Sequence, residues 1–284
     1  MAVAQTVSWL KGHGTQNDFL VLPDPDGSAL GDLPRELVAA LCHRRRGIGA
    51  DGVLRAIRSS ALDDPAARTA DAEWFMDYRN ADGSLAQMCG NGLRVFAHYL
   101  READLADPAQ PLRVGTRDGT RSVRFGGATV SAEMGAAKVL GRTRVGVDGR
   151  EWPALHVTVG NPHAVVIVDD LADAGSLREP PRYERDAFPD GVNVEFVVRL
   201  GAGRLAMRVF ERGAGETRSC GTGACAAVAA VLPATSAQGR ASYEVDVHGG
   251  RLRVDRRADG QMILSGPAVI VASGQFRWSG EQVR

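Results

Sequence analysis

The sequence is poor in lysine. Only Lys11 and Lys138 occur among the 34 basic residues of the 284-residue chain. Schiff-base chemistry, including catalysis with pyridoxal phosphate, requires a reactive lysine amine. The composition therefore leaves almost no candidates for that type of enzyme.

An excess of charge of either sign is also absent. The 34 basic residues are balanced by 34 acidic residues, so the formal net charge is zero. A neutral chain has no broad electrostatic attraction to nucleic acid or to an anionic membrane. No apolar run is long enough to cross a bilayer, and the first ten residues lack the basic and apolar regions of a secretory signal. We therefore expect a cytoplasmic protein with no nucleic-acid partner and no membrane partner.

Cysteine is scarce as well. The chain has four cysteines, Cys42, Cys89, Cys220 and Cys225. They are too few and too widely spaced for a fold held together by disulfides, and no CxxC pair occurs. We expect all four to be thiols. Cys42 and Cys225 lie within helix-like segments, where a cysteine is most simply a small core residue.

Hydrophobic periodicity predicts many strands and few helices. Apolar residues recur at helical spacing over 34–45, 93–103 and 224–232. Alternating or β-branched runs predict nine strands, at 112–116, 121–125, 129–133, 155–159, 164–168, 192–198, 205–211, 243–247 and 251–255. The pattern favours an α+β fold with antiparallel sheets around a few helices, and loops over 59–72, 141–153 and 173–191.

The sequence contains an internal repeat. Residues 89–92 read Cys-Gly-Asn-Gly and residues 220–223 read Cys-Gly-Thr-Gly, and each run follows a strand-like segment and opens an apolar helix. Asn80 and Glu211 each lie nine residues before the cysteine of their own copy. Order, spacing and context agree, so we infer a duplicated domain.

A Cys-Gly-x-Gly loop at the start of a helix has a specific chemical use. Its unpaired backbone N–H groups and the helix dipole favour an anion there, and they favour a cysteine thiolate over the thiol. Two copies suggest one ligand lying between two halves, with a cysteine on each face. One thiolate and one thiol could invert a carbon next to a carboxylate, because a base removes its proton from one face and an acid supplies a proton to the other. The helix starts would stabilise the charge that builds on the carboxylate.

Seven blocks of the sequence resemble the diaminopimelate epimerase family. They are His-Gly-Thr-Gln-Asn-Asp-Phe (13–19), Gly-Ile-Gly-Ala-Asp-Gly (47–52), Asn-Ala-Asp-Gly-Ser (80–84), Met-Cys-Gly-Asn-Gly-Leu-Arg (88–94), Gly-Asn-Pro-His (160–163), Val-Asn-Val-Glu-Phe (192–196) and Glu-Arg-Gly-Ala-Gly-Glu-Thr-Arg-Ser-Cys-Gly-Thr-Gly-Ala-Cys-Ala-Ala (211–227). They occur in the family's order, and the two cysteine blocks are highly specific.

The resemblance implies a reaction and an architecture. The reaction is the interconversion of LL- and meso-2,6-diaminopimelate, without pyridoxal phosphate or metal, on the route to lysine and peptidoglycan precursors. The architecture is two similar α+β domains, each an antiparallel sheet wrapped around a central helix, with the active site in the cleft between them. Residues 1–133 with a C-terminal strand at 267–284 would form the domain carrying Cys89, and 134–266 the domain carrying Cys220. Family members are often homodimers.

The resemblance also implies the roles of single residues. Cys89 and Cys220 would be the two bases. His163 and Glu211 match residues that tune the cysteine pKa values. The positions that match substrate contacts are Asn17, Asn80, Gly90, Asn91, Asn161, Asn193, Glu211, Arg212, Gly221 and Thr222.

Two positions depart from the family pattern. Thr15 and Gln16 stand where the common pattern has Leu and Gly, which alters the loop before Asn17. Gly52 stands where some members have a polar side chain that contacts the substrate, so that contact cannot be transferred.

Two alternative functions remain open from the sequence. A proline racemase-like enzyme or a hydroxyproline epimerase would have the same fold, although Glu211, Arg212 and Asn193 favour a substrate with a second charged end. In a different class, Cys89 and Cys220 could form a reversible disulfide in a thiol redox or binding protein. That protein would exchange with dithiol reductants and would not exchange a substrate α-proton.

Overall fold

The computed structural model describes residues 5–232 and 239–278, which divide into two compact units. Unit 1 is formed by residues 5–132 with 267–278, and unit 2 by residues 133–232 with 239–266. The expected domain ranges also include 1–4, 233–238 and 279–284, which lie outside the described residues. Within the described residues, no helix is long and apolar enough to cross a membrane.

Unit 1 is built from eight strands and three α-helices among its described residues. The strands are β1 (Gln5–Gly14), β2 (Asn17–Pro23), β3 (Gly52–Arg58), β4 (Trp74–Asn80), β5 (Leu112–Gly115), β6 (Arg121–Gly126), β7 (Thr129–Ala136, which ends in unit 2) and β18 (Val269–Trp278). The helices are α1 (Arg35–Cys42), α2 (Pro65–Thr69) and α3 (Gly90–Glu102), and a 3₁₀ turn covers Ser59–Ala61. The strands pair in the order β18, β1, β2, β3, β4, β5, β6, β7. The pairs β2–β3 and β4–β5 are parallel and the others are antiparallel.

Unit 2 repeats this plan. Its strands are β8 (Lys138–Val147), β9 (Arg150–Thr158), β10 (Pro162–Ile167), β11 (Arg182–Tyr183), β12 (Asn193–Gly201), β13 (Arg204–Glu211), β14 (Gly215–Thr217), β15 (Ala241–Val247), β16 (Gly250–Arg256) and β17 (Gln261–Pro267). Its α-helix is α4 (Gly221–Val231), and a 3₁₀ turn covers Leu171–Ala174. Eight strands pair in the order β8, β9, β10, β12, β13, β15, β16, β17, with β10–β12 and β13–β15 parallel. The succession of parallel and antiparallel pairs is the same as in unit 1, which confirms the duplication inferred from the repeat.

The predicted α+β class is confirmed, with differences in detail. All nine predicted strands are present, and so are the three predicted helices. Each unit also contains two parallel pairs, which the predicted antiparallel sheets did not include. The predicted loop over 141–153 is wrong, because these residues form most of the β8–β9 hairpin. The pairing of β8 shifts register between Val139 and Gly141, and residues 138–142 are exposed, so the strand lacks the alternation that would reveal it.

The helices α3 and α4 occupy the core of their units. Helix α3 packs on β1, β2, β3, β4 and β18, and every residue from Gly90 to Leu100 is buried. Helix α4 packs on β8, β9, β10, β12, β13 and β16, and its alanines and valines are mostly buried, as its all-round apolar sequence predicts. Each unit therefore fixes the start of its central helix in a water-poor interior.

The altered loop at Thr15 and Gln16 is a tight hairpin turn. It joins β1 to β2, and Gly14 pairs with Asn17. Thr15 and Gln16 both have positive φ values, 50° and 63°, the conformation that two-residue hairpin turns require and that Gly or Asn adopts at least cost. The departure from the family pattern therefore keeps Asn17 at the first position of β2 but carries backbone strain.

Replacing Gln16 with glycine should relieve part of that strain. Gln16 is exposed, so Gln16→Gly loses little packing, and we expect the free energy of unfolding to rise by about 0.5–1 kcal/mol. Gln16→Ala keeps the Cβ atom and serves as the control, with no expected gain. Denaturant unfolding of the three proteins measures the difference, and equal stability of the glycine and alanine variants would contradict the account.

Candidate active site

Cys89 caps the amino-terminal end of α3. Its backbone is extended, with φ −139° and ψ 123°, and its carbonyl accepts the N–H of Leu93 at 2.8 Å. Its Sγ accepts the backbone N–H of Gly92 at 3.4 Å. The sulfur thus takes the place that a serine or aspartate oxygen has at an ordinary helix start, where the backbone dipoles favour negative charge.

The side chains of Asn17 and Asn91 lie beside this sulfur. Asn17 Oδ1 accepts from Cys89 Sγ at 3.6 Å and from Asn91 Nδ2 at 3.2 Å. The buried Arg94 donates to Asn91 Oδ1 at 3.0 Å and to the Gly90 carbonyl at 3.3 Å. This arrangement fixes both amide groups in one orientation at the start of α3.

A charged cluster holds Asn17 from the other side. Asn17 Nδ2 donates to Asp51 Oδ2 at 2.8 Å, and Arg44 bridges Asp51 and Asp18 at 2.6 and 2.7 Å. Burial opposes ionisation of Asp18, but its hydrogen bonds to Arg44 and Lys11 outweigh burial and lower its pKa to about 2. Asp18 therefore remains ionised at neutral pH and, with Arg44, anchors the first residues of β2, whereas burial raises the pKa of Asp51.

Cys220 caps α4 in the same way. Its backbone is extended, its carbonyl accepts from Ala224 N at 3.0 Å, and its Sγ accepts the N–H of Gly223 at 3.3 Å. Thr222 Oγ1 lies 3.5 Å from Sγ and accepts from Asn161 Nδ2 at 3.4 Å. In each unit, therefore, an asparagine at the start of an equivalent strand contacts the side chain two residues after the cysteine: Asn17 begins β2, and Asn161 directly precedes β10.

Behind Asn161 lies a buried acid–base pair. His163 Nε2 is 2.9 Å from Asn161 Oδ1, and His163 Nδ1 is 2.7 Å from Glu195 Oε1. The side chains of His163 and Glu195 are both 0% exposed. A series of hydrogen bonds thus runs from Glu195 through His163, Asn161 and Thr222 to the sulfur of Cys220.

The environments of Cys220 and Cys42 both disfavour the thiolate, chiefly through burial. Burial raises the pKa of Cys220 well above its usual value, and the negative charges of Glu211 and Glu195 raise it further, while Thr222 and the Gly223 N–H act in the opposite direction. Burial within α1 raises the pKa of Cys42 to about 12, with a contribution from Asp18. Cys42 is an inert core thiol at neutral pH, whereas Cys220 has hydrogen-bonding partners that can stabilise its thiolate.

The remaining predicted site residues lie at strand ends near these clusters. Asn193 begins β12, accepts the backbone N–H of Arg212 at 2.9 Å and donates to the Pro162 carbonyl at 3.2 Å. Glu211 ends β13 and accepts from the Thr217 hydroxyl. Arg212 donates to the Asp190 carbonyl at 3.1 Å. Asn193 and Arg212 therefore belong to one hydrogen-bonded group in unit 2.

In unit 1, Asn80 and Gly52 face each other. Asn80 ends β4, pairs with Gly52 and donates to Ser84 Oγ at 3.0 Å, so its side chain is engaged with the following turn. A Cβ atom at position 52 would lie 2.6 Å from the Arg79 carbonyl and 2.8 Å from the Tyr78 ring. The strand has no space for a side chain at Gly52, which gives the family departure a local reason.

Three residues that the sequence reasoning did not assign take part in these clusters. Asp51 orients Asn17, Arg94 orients Asn91, and Glu195 binds His163. Arg94 and Glu195 share a signal that could have revealed them, since each is a charged residue within an otherwise apolar helix or strand. Asp51 has no such signal, because its partner is far away in the sequence.

The fold defines a class of proteins. A phenazine biosynthesis protein of the PhzF family from Bacillus anthracis matches with a TM-score of 0.71 and 17% identity, covering 96% of this chain and 99% of the other. A hydroxyproline epimerase from Agrobacterium vitis matches with a TM-score of 0.67 and 16% identity, covering 98% and 94%. The chain thus has the two-unit fold that these proteins share.

Sequence comparison identifies the family within that class. The family model described as diaminopimelate epimerase matches residues 9–140 and 155–271. The diaminopimelate epimerase of Streptomyces coelicolor is 51% identical over 278 residues, covering 95% of each chain. That of Thermobifida fusca is 48% identical over 274 residues, covering 95% of this chain and 97% of the relative. The chain belongs to the diaminopimelate epimerase family, and it is an isomerase.

The two capping loops should respond differently to an added methyl group. A Cβ at Gly223 would lie 2.7 Å from Glu195 Oε1 and 3.2 Å from Cys220 Sγ, whereas a Cβ at Gly92 would first meet Leu54 Cδ2 at 3.2 Å and Phe19 Cζ at 3.4 Å. We expect Gly223→Ala to lower the free energy of unfolding by about 1–3 kcal/mol through overpacking, and Gly92→Ala by less than about 1 kcal/mol. Denaturant unfolding tests this comparison, and a larger loss for Gly92→Ala would contradict it.

Proposed function

We propose that this protein interconverts LL- and meso-2,6-diaminopimelate through a two-base mechanism in which Cys89 and Cys220 act on the same substrate carbon. The observation that carries the proposal is the pair of helix starts, each capped by a cysteine sulfur and each holding an asparagine beside it. The curated relatives bear the name of this epimerase. Each unit would be one epimerase domain, with unit 1 supplying Cys89 and unit 2 supplying Cys220.

The chemistry follows from the properties of a helix start. One cysteine, as thiolate, removes the α-proton, and the other, as thiol, donates a proton to the opposite face. The α-carbon of an amino acid is a very weak acid, so the reaction needs stabilisation of the negative charge that spreads into the carboxylate. Backbone N–H groups at Gly90, Asn91, Gly221 and Thr222 would supply it as preorganised donors. Neither proton transfer requires pyridoxal phosphate or a metal ion.

The polar residues around the two cysteines suit a diamino diacid. Asn17, Asn80, Asn161 and Asn193 would bind its carboxylates and ammonium groups as neutral donors and acceptors. Arg212 would bind the distal carboxylate, and Glu211 an ammonium group. The negative charge of Glu211 also raises the pKa of Cys220. Together with His163, Glu211 would set the balance between the thiol and thiolate forms of Cys220.

The cellular setting follows the family. We propose that the protein acts as a homodimer in the cytoplasm, in the formation of lysine and peptidoglycan precursors. Sedimentation of the purified chain would test the homodimer, and a monomer at working concentration would contradict it.

Removal of either cysteine tests the two-base mechanism. Cys89→Ala and Cys220→Ala each lose a group that transfers a proton, so we expect kcat for epimerisation to fall by about 10²–10⁴-fold or more in each variant. Chromatographic separation of the LL and meso isomers measures the rate in both directions. Normal turnover in either variant would contradict the mechanism.

The other two cysteines provide matched controls. Cys42 and Cys225 are buried in α1 and α4, and Cys42→Ala and Cys225→Ala remove the same thiol group from the core. Each should retain kcat within about a factor of two, because neither lies at a helix start. A loss as large as that of Cys89→Ala would show that alanine acts through folding and not through catalysis.

A substrate panel tests the specificity. The need to bind a second charged end predicts turnover of LL- and meso-diaminopimelate, and rates at least about 10³-fold lower for L-proline and trans-4-hydroxy-L-proline, which leave Arg212 and Glu211 unpaired. Polarimetry follows all four compounds. Preferred turnover of either proline would contradict the diaminopimelate assignment while leaving the two-cysteine chemistry intact.

A further inference from the structure

Unit 2 contains a charged residue beneath Cys220 whose role the two-base mechanism does not explain. Glu195 lies on β12, is fully buried, and binds His163 Nδ1 at 2.7 Å. Ionisable groups are rarely buried without a reason, because removing them from water costs free energy that the partner only partly restores.

The hydrogen bonds fix the orientation of this pair. His163 Nε2 faces Asn161 Oδ1, since Asn161 Nδ2 donates to Thr222. His163 Nδ1 lies 2.7 Å from Glu195 Oε1, and Glu195 is the member of the pair that lies next to α4.

The position of the carboxylate is tightly defined. Its Oε1 would lie 2.7 Å from a Cβ atom at Gly223, whose backbone N–H is the one that Cys220 Sγ accepts. Its Oε2 has no hydrogen-bond partner among the residues that the structure describes. The Glu195 carboxylate therefore lies beside the N–H group that binds Cys220 Sγ, and its negative charge disfavours a second negative charge on that sulfur.

Unit 1 has no such charge at the equivalent place. Phe19 and His163 each follow the site asparagine by two residues, and they pair with Gly52 and Asn193 in the same parallel register. Two residues further along the partner strands lie Leu54 and Glu195. The first turn of α3 at Gly92 therefore rests on Leu54 and Phe19, whereas the first turn of α4 rests on Glu195.

We propose that Glu195 is a positioning residue of this site: paired with His163, it holds Asn161 against Thr222 and keeps Cys220 protonated in the free enzyme. The carboxylate and a Cys220 thiolate would compete for the same positive helix start, so the charge of Glu195 disfavours the thiolate. Unit 1 lacks this competition beneath Cys89. The acid role of Cys220 rests on the proposed function, whereas its protonation does not.

Few titratable groups on the elements packed against α4 face Cys220. Among the elements packed on α4, the titratable groups that face Cys220 are Glu195 on β12 and Glu211 on β13, with His163 on β10 behind Asn161. His156 on β9 stacks on Phe188. The ion pairs of β8, β9 and β16 are formed at exposed or partly exposed positions: Arg144–Glu151, Arg144–Glu184, Arg150–Asp173, Arg251–Glu244, Arg251–Asp246 and Arg253–Asp255.

A titration of the Cys220 thiol tests the proposal directly. The ultraviolet absorbance of the thiolate is followed against pH in a Cys89→Ala protein, with and without Glu195→Gln, and the curve of Cys89→Ala/Cys220→Ala is subtracted from each. We expect Glu195→Gln to lower the Cys220 midpoint by about one to three pH units, the usual effect of a close like charge. An unchanged or higher midpoint would overturn the proposal. A role in folding alone would change the unfolding midpoint and leave this titration in place.

Two further variants keep the test decisive. The double variant His163→Phe/Glu195→Leu copies the Phe19 and Leu54 environment, and exchanging a buried acid–base pair for apolar residues is commonly tolerated, so it should fold and show a lowered midpoint. It replaces Glu195→Gln if that protein does not fold, and an unchanged midpoint in it would equally overturn the proposal. Asp24→Asn, which breaks the buried Asp24–Arg55 ion pair of unit 1, is the matched control and should leave the Cys220 midpoint unchanged.

The Cys220 titration and the epimerase assay test the two proposals independently. The titration uses no substrate, so a lowered midpoint in a protein without epimerase activity would support the role of Glu195 and refute the proposed reaction. Conversely, epimerase activity with an unchanged midpoint would leave the reaction in place and refute the role of Glu195.

Discussion

The contact on which the rest of this structure depends is the hydrogen bond from a backbone N–H group to a cysteine sulfur at the start of a buried helix. It occurs twice, at Cys89 and at Cys220, with lengths of 3.4 and 3.3 Å. Each sulfur is thereby fixed at the positive end of a helix whose remaining residues lie in a core of strands. The sheets of each unit serve to hold that helix start in place, and the glycine three residues after each cysteine lets the strands approach it closely.

Duplication explains the plan of the protein, and divergence explains its chemistry. The two units share the same succession of strand pairs and the same relation between an asparagine and a capped helix start. They differ in what supports that helix start, since Phe19 and Leu54 are apolar where His163 and Glu195 form a buried hydrogen-bonded acid–base pair. A reaction that needs a base and an acid cannot be served by two identical groups in the same state. The Glu195 carboxylate beneath Cys220, with Leu54 at the equivalent place in unit 1, would make the proton affinities of the two cysteines differ.

Much of this arrangement could be predicted from the sequence because it is local. A cysteine followed by two spaced glycines and an apolar run predicts a helix start, and alternating or β-branched runs predict nine of the eighteen strands in the described residues. What could not be predicted depends on contacts between distant segments. The strand β8 lacks alternation because it is bulged and exposed. Asp51 acquires its role only when β2 and β3 lie side by side, and Glu195 only when the pairing of β10 with β12 places it beside His163.

In the proposed mechanism, two different groups handle the proton on the two faces of the substrate carbon. The most direct measurement is the position of deuterium at early conversion, when LL-diaminopimelate reacts in deuterated water and both isomers are recovered. A two-base enzyme returns the abstracted proton to the face it came from and delivers a solvent-derived deuteron to the other face. We therefore expect deuterium at the α-carbon of the meso product and almost none in the remaining LL substrate. Equal deuterium in substrate and product from the earliest times would show that one base serves both faces, and it would contradict the claim.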